Sequence, residues 1–372
     1  MSYGIRLLAL LLGLLPAPWL MAAEDRSCAE FRQFANPDLL IAMQRGVNLP
    51  GWDLKNATER PQLQQLRALR ANDFRHIRLP VDNRRLDGSS KYVGDLYDQT
   101  IMLLSLGFAV SIDLHPDDEI GRLARQDPAK AEAYLNGLWD QMLPMIRTLD
   151  PKRVAVELLN EPQIEQDPWM AMAKRLIARI RHVLPAHTIV VGPSGPQRHE
   201  MLSGMQPFDD DNIVYAVHYY DPFLFTHQGA TWGADNDPLR DLAGLPFPAK
   251  ASDKAVSDLR AKLTASGRRQ AVAEIDNALR NDWNEAMIAS AFTVMRDWAS
   301  RYKRPVIINE FGVLNFVAPR ASRLRWLETV NRQATSRCLG WTHWDFQDGF
   351  GLIDPATKLP DADIMRVLAP AN

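Results

Sequence analysis

A chain of 372 residues lies near the upper limit for one hydrophobic core, a size that α/β barrels reach as a single domain. Its 46% hydrophobic and 24% charged residues exclude a disordered or fibrous polypeptide. The net charge of -2 excludes broad attraction to nucleic acid or an anionic membrane and suits an uncharged ligand.

At the start, Arg6 precedes an apolar run from Leu7 to Leu15, Pro16 and Pro18 interrupt it, and Ala22-Ala23 stand before Glu24-Asp25. This is the pattern of a signal peptide over residues 1–23, which is expected to leave residues 24–372 as a soluble mature domain, periplasmic or extracellular. The run is too short to span a bilayer, which takes about 20 apolar residues. Asp25-Arg26-Ser27 before Cys28 is not a lipoprotein context. Export would allow Cys28 and Cys338 to form one disulfide, and two free buried thiols are an equally simple reading.

Eight short β-branched or apolar runs follow, each succeeded by a stretch of helical periodicity. They are Arg45 to Leu49, His76 to Pro80, Ala109 to Leu114, Val154 to Asn160, Thr188 to Val191, Ile213 to Tyr219, Pro305 to Glu310 and Leu339 to Trp344. Helices are predicted at Pro61 to Ala71, with leucines at 63, 66 and 69, and at Pro168 to Leu184 behind Asp167 as N-cap. Eight βα units predict an α/β fold, a closed (β/α)8 TIM barrel in one domain; no Gly-rich loop after the first strand argues for a nucleotide fold. The interval from Tyr220 to Pro305 is too long for one crossover and predicts an insertion after strand six, with helices at Lys254 to Ala265 and Trp283 to Tyr302. Its aromatic start, Asp221 to Trp232, is a candidate wall of a cleft.

Polar residues stand where these strands end, at the edge where barrels carry chemistry: Arg78, Asp113-Leu114-His115, Asn160-Glu161, His218-Tyr219-Tyr220, Asn309-Glu310 and Trp344. Taken singly, Arg78 could pair with an interior carboxylate, His115 or His218 could be a core histidine, and Trp344 could fill space. Together they put two glutamates on strands four and seven, across a barrel from each other, and paired carboxyl groups flanking one bond are what glycoside hydrolysis needs. Glu157 shares a strand face with Glu161 but falls mid-strand, so an ion pair is its expected role. There is no His-Glu-x-x-His helix, cysteine cluster or calcium-loop pattern, so neither metal nor cofactor is expected.

The segment Val154-Ala-Val-Glu-Leu-Leu-Asn-Glu-Pro162, with Arg78, His115, His218, Tyr220, Glu310 and Trp344 in order, resembles glycoside hydrolase family 5, the cellulase family. Arg45-Gly-Val-Asn-Leu-Pro-Gly-Trp52 and His218-Tyr-Tyr-Asp-Pro-Phe-Leu-Phe-Thr-His-Gln-Gly229 are similar to its endoglucanase-like branch, and the likeness runs from Arg45 to Asp354. Gln163 departs from the family pattern and bears on specificity rather than mechanism.

The resemblance implies a retaining enzyme. Glu310, paired with Arg78 and the Tyr220 hydroxyl, is the nucleophile; Glu161 is the acid/base, and the charge of Glu310 is expected to keep it protonated. Asn160 would hold a sugar 2-hydroxyl, His115 and His218 would line the same subsite, Trp344 would be an apolar sugar platform, and Trp52 and Trp232 would extend it. The expected partner is a β-linked polysaccharide or oligosaccharide, foremost a β-1,4-glucan cut by a monomeric endoglucanase. Mannan, β-1,3-glucan and the producer's own exopolysaccharide are rival substrates; a non-catalytic glycan-binding barrel is the rival of another class.

Overall fold

The computed structural model describes residues 34–370 except Asp87 and Ser89. The leader pattern and Cys28 lie outside those residues. Strands β1 (Gly46–Asn48), β2 (His76–Asp82), β3 (Ala109–His115), β4 (Val154–Glu157), β5 (Thr188–Val191), β6 (Ile213–Tyr219), β7 (Val306–Phe311) and β8 (Gly340–His343) pair in parallel, each with the next. β8 pairs back onto β1, which closes the (β/α)8 barrel expected from the eight runs. Such strands are covered on both faces, by helices outside and by one another's side chains inside, and this is why they read as continuous apolar runs rather than alternating ones. No helix among the described residues is long and apolar enough to cross a membrane.

Helix bounds differ in detail from the expected ones. The first expected helix begins at Leu63, where Gln62 and Gln65 form a reciprocal cap; Leu66 and Leu69 are buried while Leu63 stays exposed in the first turn. Asp167 is not an N-cap: Glu165 holds that place for Gln166–Val183, and Asp167 lies in the first turn, where its charge favours the positive end of the helix dipole. Within the insertion after β6, Lys254–Ala265 matches expectation, Arg269–Ala278 is an additional helix, and the last helix is Glu285–Tyr302, with the Asn284 side chain accepting the Met287 N–H.

Three tryptophans tie the helical shell to the rim that carries the chemistry. The indole N–H of Trp139 donates to Leu158 O at 3.1 Å, that of Trp169 to Gly192 O at 2.9 Å and that of Trp326 to Asp221 O at 3.0 Å. Each carbonyl lies just past the end of β4, β5 or β6, where the sheet no longer supplies a donor, so a buried ring both fills the core and satisfies the backbone. Cys338 is buried and disulfide-bonded.

Candidate active site

The barrel interior is polar at its C-terminal end because one guanidinium organises it. Arg78, on β2, is fully buried. Its Nε and Nη2 donate to the Glu157 carboxylate at 2.7 and 2.9 Å, and Nη1 donates to Glu310 Oε1 at 2.7 Å. Nη1 also reaches Asn48 Oδ1 at 2.9 Å, and Nη2 reaches Asn160 Oδ1 at 2.8 Å and Asp113 Oδ2 at 2.9 Å. β4 ends at Glu157 rather than at Asn160, so Glu157 closes the strand instead of lying mid-strand, yet it is the expected buried ion-pair partner and also accepts from Asn309 Nδ2 at 2.8 Å. A buried charge is tolerated only when paired and hydrogen-bonded, and here one arginine meets three carboxyl groups.

A register slip brings Glu310 into this network. Along β6 and β7, Val217 pairs with Ile308 but His218 pairs with Glu310, so Asn309 is an extra residue. Alternation would send Asn309 and Glu310 to opposite faces; the bulge turns both inward, Asn309 to Glu157 and Glu310 to Arg78. Two residues on, Gly312 lets the backbone just past β8 approach, since a Cβ there would lie 2.2 Å from Trp344 O. The Trp344–Asp345 peptide bond is cis.

Glu161 leaves β4 with φ +40°, a left-handed conformation rare for a residue with a side chain. Such a conformation costs on the order of 1–3 kcal/mol and is held by its surroundings. The preceding Asn160 N–H is anchored to Leu114 O at 2.9 Å. His218 Nδ1 lies 2.8 Å from Glu161 Oε1 and 3.5 Å from Glu310 Oε2. Glu161, His218 and Glu310 each offer an atom within 4.8 Å of the other two. The Tyr220 hydroxyl donates to Glu310 Oε2 at 3.1 Å; burial and the charge of Glu310 keep that phenol protonated.

The expectation that Glu310 keeps Glu161 protonated is reversed by the imidazole between them. Burial pushes the Glu161 carboxyl up, but the hydrogen bond and charge of His218, with His115 and Arg78 behind, outweigh it and the net direction is down. Burial lowers His218, but the charge of Glu310 and the bond to Glu161 raise it overall. In the free protein the shared proton therefore sits on His218. His115 shows the same balance: burial lowers it, and Asp113 Oδ2, 2.9 Å from its Nδ1, raises it further.

A cleft of about 810 Å³ opens over these groups. His115, Asn160, Glu161, His218, Tyr220, Glu310, Trp344 and Trp232 all line it. The Trp344 ring lies parallel to His115, 5.6 Å between centroids. Trp232, 62% exposed, stands on the wall formed by the insertion, against Phe350 and His227. Trp52 is not brought to the cleft: it is 3% exposed, stacks on Tyr92 at 5.5 Å and donates its indole N–H to Pro80 O at 2.7 Å. The short β1 ends at Asn48, and the turn after it folds Trp52 inward over β2. Gln163 is exposed, and its side chain donates to Glu161 O at 3.2 Å.

Sequence reasoning missed Asn48 and the roles of Asp113 and Asn309, for which an unexplained polar residue inside an apolar strand is the available signal. It also missed Phe316, Asp345 and Phe350 on the cleft wall, which sit in loops with no periodicity to read, whereas His227 lies within the expected wall from Asp221 to Trp232. A second set of possible metal ligands, His199, Glu200 and Asp221, lies outside the cleft, where Arg198 already pairs with both carboxylates.

Residues 40–347 match the family model for cellulase, glycosyl hydrolase family 5. The chain belongs to this family. It is 28% identical to Endoglucanase 3 of Fibrobacter succinogenes over 348 residues, 86% of this chain and 52% of that protein. It thus spans about half the length of that relative. It is 25% identical to Cellodextrinase A of Ruminococcus flavefaciens, covering 77% of this chain and 81% of the relative. The family 5 barrel superposes on endoglucanase Cel5A from Thermotoga maritima with a TM-score of 0.71 at 21% identity, covering 90% of this chain and 99% of the other. It also superposes on the Clostridial cellulose synthase subunit Z from Clostridioides difficile with a TM-score of 0.69 at 22% identity, covering 88% and 99%.

Proposed function

We propose that this protein is a retaining β-1,4-glucan hydrolase that cuts by double displacement, with Glu310 as nucleophile and Glu161 as acid/base. The observation that carries the reading is their spacing. Carboxylate oxygens of the two lie within 4.8 Å of each other, which leaves no room for a water between carboxylate and sugar as inversion needs, a separation of about 6.5–9.5 Å. A separation of about 5–5.5 Å belongs to retention.

Glu310, aimed by Arg78 and Tyr220, attacks the anomeric carbon as the glycosidic C–O bond breaks. Bound sugar excludes water from Glu161, which favours its neutral form, so the proton crosses the 2.8 Å bond from His218 to Glu161 and on to the leaving oxygen. In the second step the Glu161 carboxylate takes a proton from water, whose oxygen displaces Glu310 and restores the original anomer. Asn160 holds the 2-hydroxyl, His115 and His218 bound the same subsite, and Trp344 and Trp232 offer aromatic faces to the C–H faces of the glycan. Endoglucanase and cellodextrinase relatives support β-1,4-glucan over mannan or β-1,3-glucan. Export to the periplasm or beyond after removal of residues 1–23, and action as a monomer, complete the reading.

Reducing-sugar release from carboxymethylcellulose, barley β-glucan, glucomannan and laminarin tests it, with the anomer of the first product followed by NMR and E310A as control. Initial β product from the first two, absent in E310A, is expected. Initial α product, or equal inertness of both proteins, overturns it.

A further inference from the structure

Beside Trp344 the chain buries a carboxyl group that this mechanism does not use. Asp345 is 2% exposed and lines the cleft. Its Oδ1 accepts the Asp348 N–H at 2.9 Å, and no Lys, Arg or His among the described residues pairs with it within 4.0 Å. The cation that faces it, Arg323, directs Nε to Val313 O at 3.1 Å and Nη2 to the carbonyls of Phe350 and Gly351 at 2.8 and 2.9 Å. The other groups that face it are Asp348, Glu310, Tyr220 and His343, whose Nδ1 lies 3.2 Å from Asp345 O. Burial keeps His343 neutral, pushed down to about 3, and Tyr220 stays protonated, so the carboxyl meets like charges and only a remote, occupied guanidinium.

A desolvated carboxyl with one backbone donor and carboxyl neighbours is more stable neutral. Burial, with Asp348 adding to it, pushes Asp345 up to about 8. Oδ1 takes the Asp348 N–H, which leaves Oδ2 for the proton, and a neutral carboxyl group is a hydrogen-bond donor where a carboxylate is only an acceptor. Sugar hydroxyl oxygens accept such a donor.

We propose that Asp345 works in this cleft as a neutral carboxylic acid whose O–H donates to a hydroxyl oxygen of the glycan resting on Trp344, and that ionisation removes this donor and weakens binding. The inference rests on the glycan-hydrolase reading of the same cleft. Asp345 is a substrate-positioning group, distinct from the two glutamates.

The test compares wild type with D345N, which keeps a donor that does not ionise, and with D345S, a smaller donor. The readouts are kcat/KM on barley β-glucan across pH, cellotetraose affinity by calorimetry, and the carboxyl 13C titration of Asp345, assigned by its loss in either variant. The ratio of D345N to wild type cancels the titrations that Asp345 does not influence, and the carbon titration assigns what remains to Asp345 itself. The expected ratio is flat up to about pH 7, rises above about pH 8 by at most about tenfold per pH unit, and levels off once the contribution of the lost hydrogen bond is spent, for both kcat/KM and affinity. A flat ratio throughout, a D345N loss above about 100-fold at pH 6, or a carbon titrating below about pH 5 overturns the proposal. Wild type inert on every β-glucan sinks the hydrolase reading instead, and the carbon titration then still decides the state of Asp345.

Discussion

His218 Nδ1 lies 2.8 Å from Glu161 Oε1, and the two groups share one proton that the surrounding charges place on the imidazole. Activity then requires the pair to hold that proton and falls as pH rises through the titration of the pair, whose apparent value lies above the ordinary histidine range because His218 is raised. In H218A the proton has only Glu161 to sit on, a weaker proton holder than the raised imidazole. The alkaline limb of kcat/KM should therefore move to lower pH by at least about one unit. A limb that stays in place would show that Glu161 alone sets the proton inventory.

Removing Glu161 should separate the two chemical steps. E161A should lose about 10²–10⁴-fold in kcat on β-glucan, where the leaving oxygen needs a proton. The loss should be much smaller for glycosylation by an aryl cellobioside with a good leaving group. Added azide should restore turnover and give a β-glycosyl azide, since Glu310 still forms the covalent intermediate. Absence of azide rescue alongside intact folding would remove Glu161 from the acid/base role.

Arg78 is a stability determinant as much as a catalytic neighbour. R78M leaves Asp113, Glu157 and Glu310 buried without their shared cation, at a cost of about 3–5 kcal/mol in unfolding free energy. R78K restores charge but not the planar fork that reaches four side chains besides Glu310, so it should recover only part of that loss. Denaturant unfolding of both variants reads the difference; a wild-type midpoint for R78M would contradict the network.

The two tryptophans flanking the barrel mouth should behave in opposite ways. W52A, which empties a packed site and strands Pro80 O, should cost about 3–5 kcal/mol of stability. W232A should leave the melting temperature within a degree or two of wild type and raise KM for β-glucan about 2–10-fold, the worth of one aromatic contact. A KM change in thermally intact W52A would return that ring to the cleft.

Much of this protein was legible in its residues. Eight apolar runs separated by helical stretches specify a βα barrel because a strand covered on both faces must be apolar throughout, and Glu161 and Glu310 stand out as carboxyl groups where the chain leaves an apolar run, at the rim where barrels carry chemistry. Local sequence could not tell Trp52 from Trp232, since both are tryptophans in loops near the mouth. Their exposures, 3% and 62%, follow from Tyr92 and Pro80 folding over one ring while the other stands on the insertion wall. The inward turn of both Asn309 and Glu310 required the slip between β6 and β7, a property of paired strands. The proton balance was likewise out of reach. Two carboxyl groups alone raise each other, and only the folded chain sets His218 between them and leaves Asp345 without a cation in ion-pair contact, because electrostatic energies depend on distances and burial that residue order does not contain.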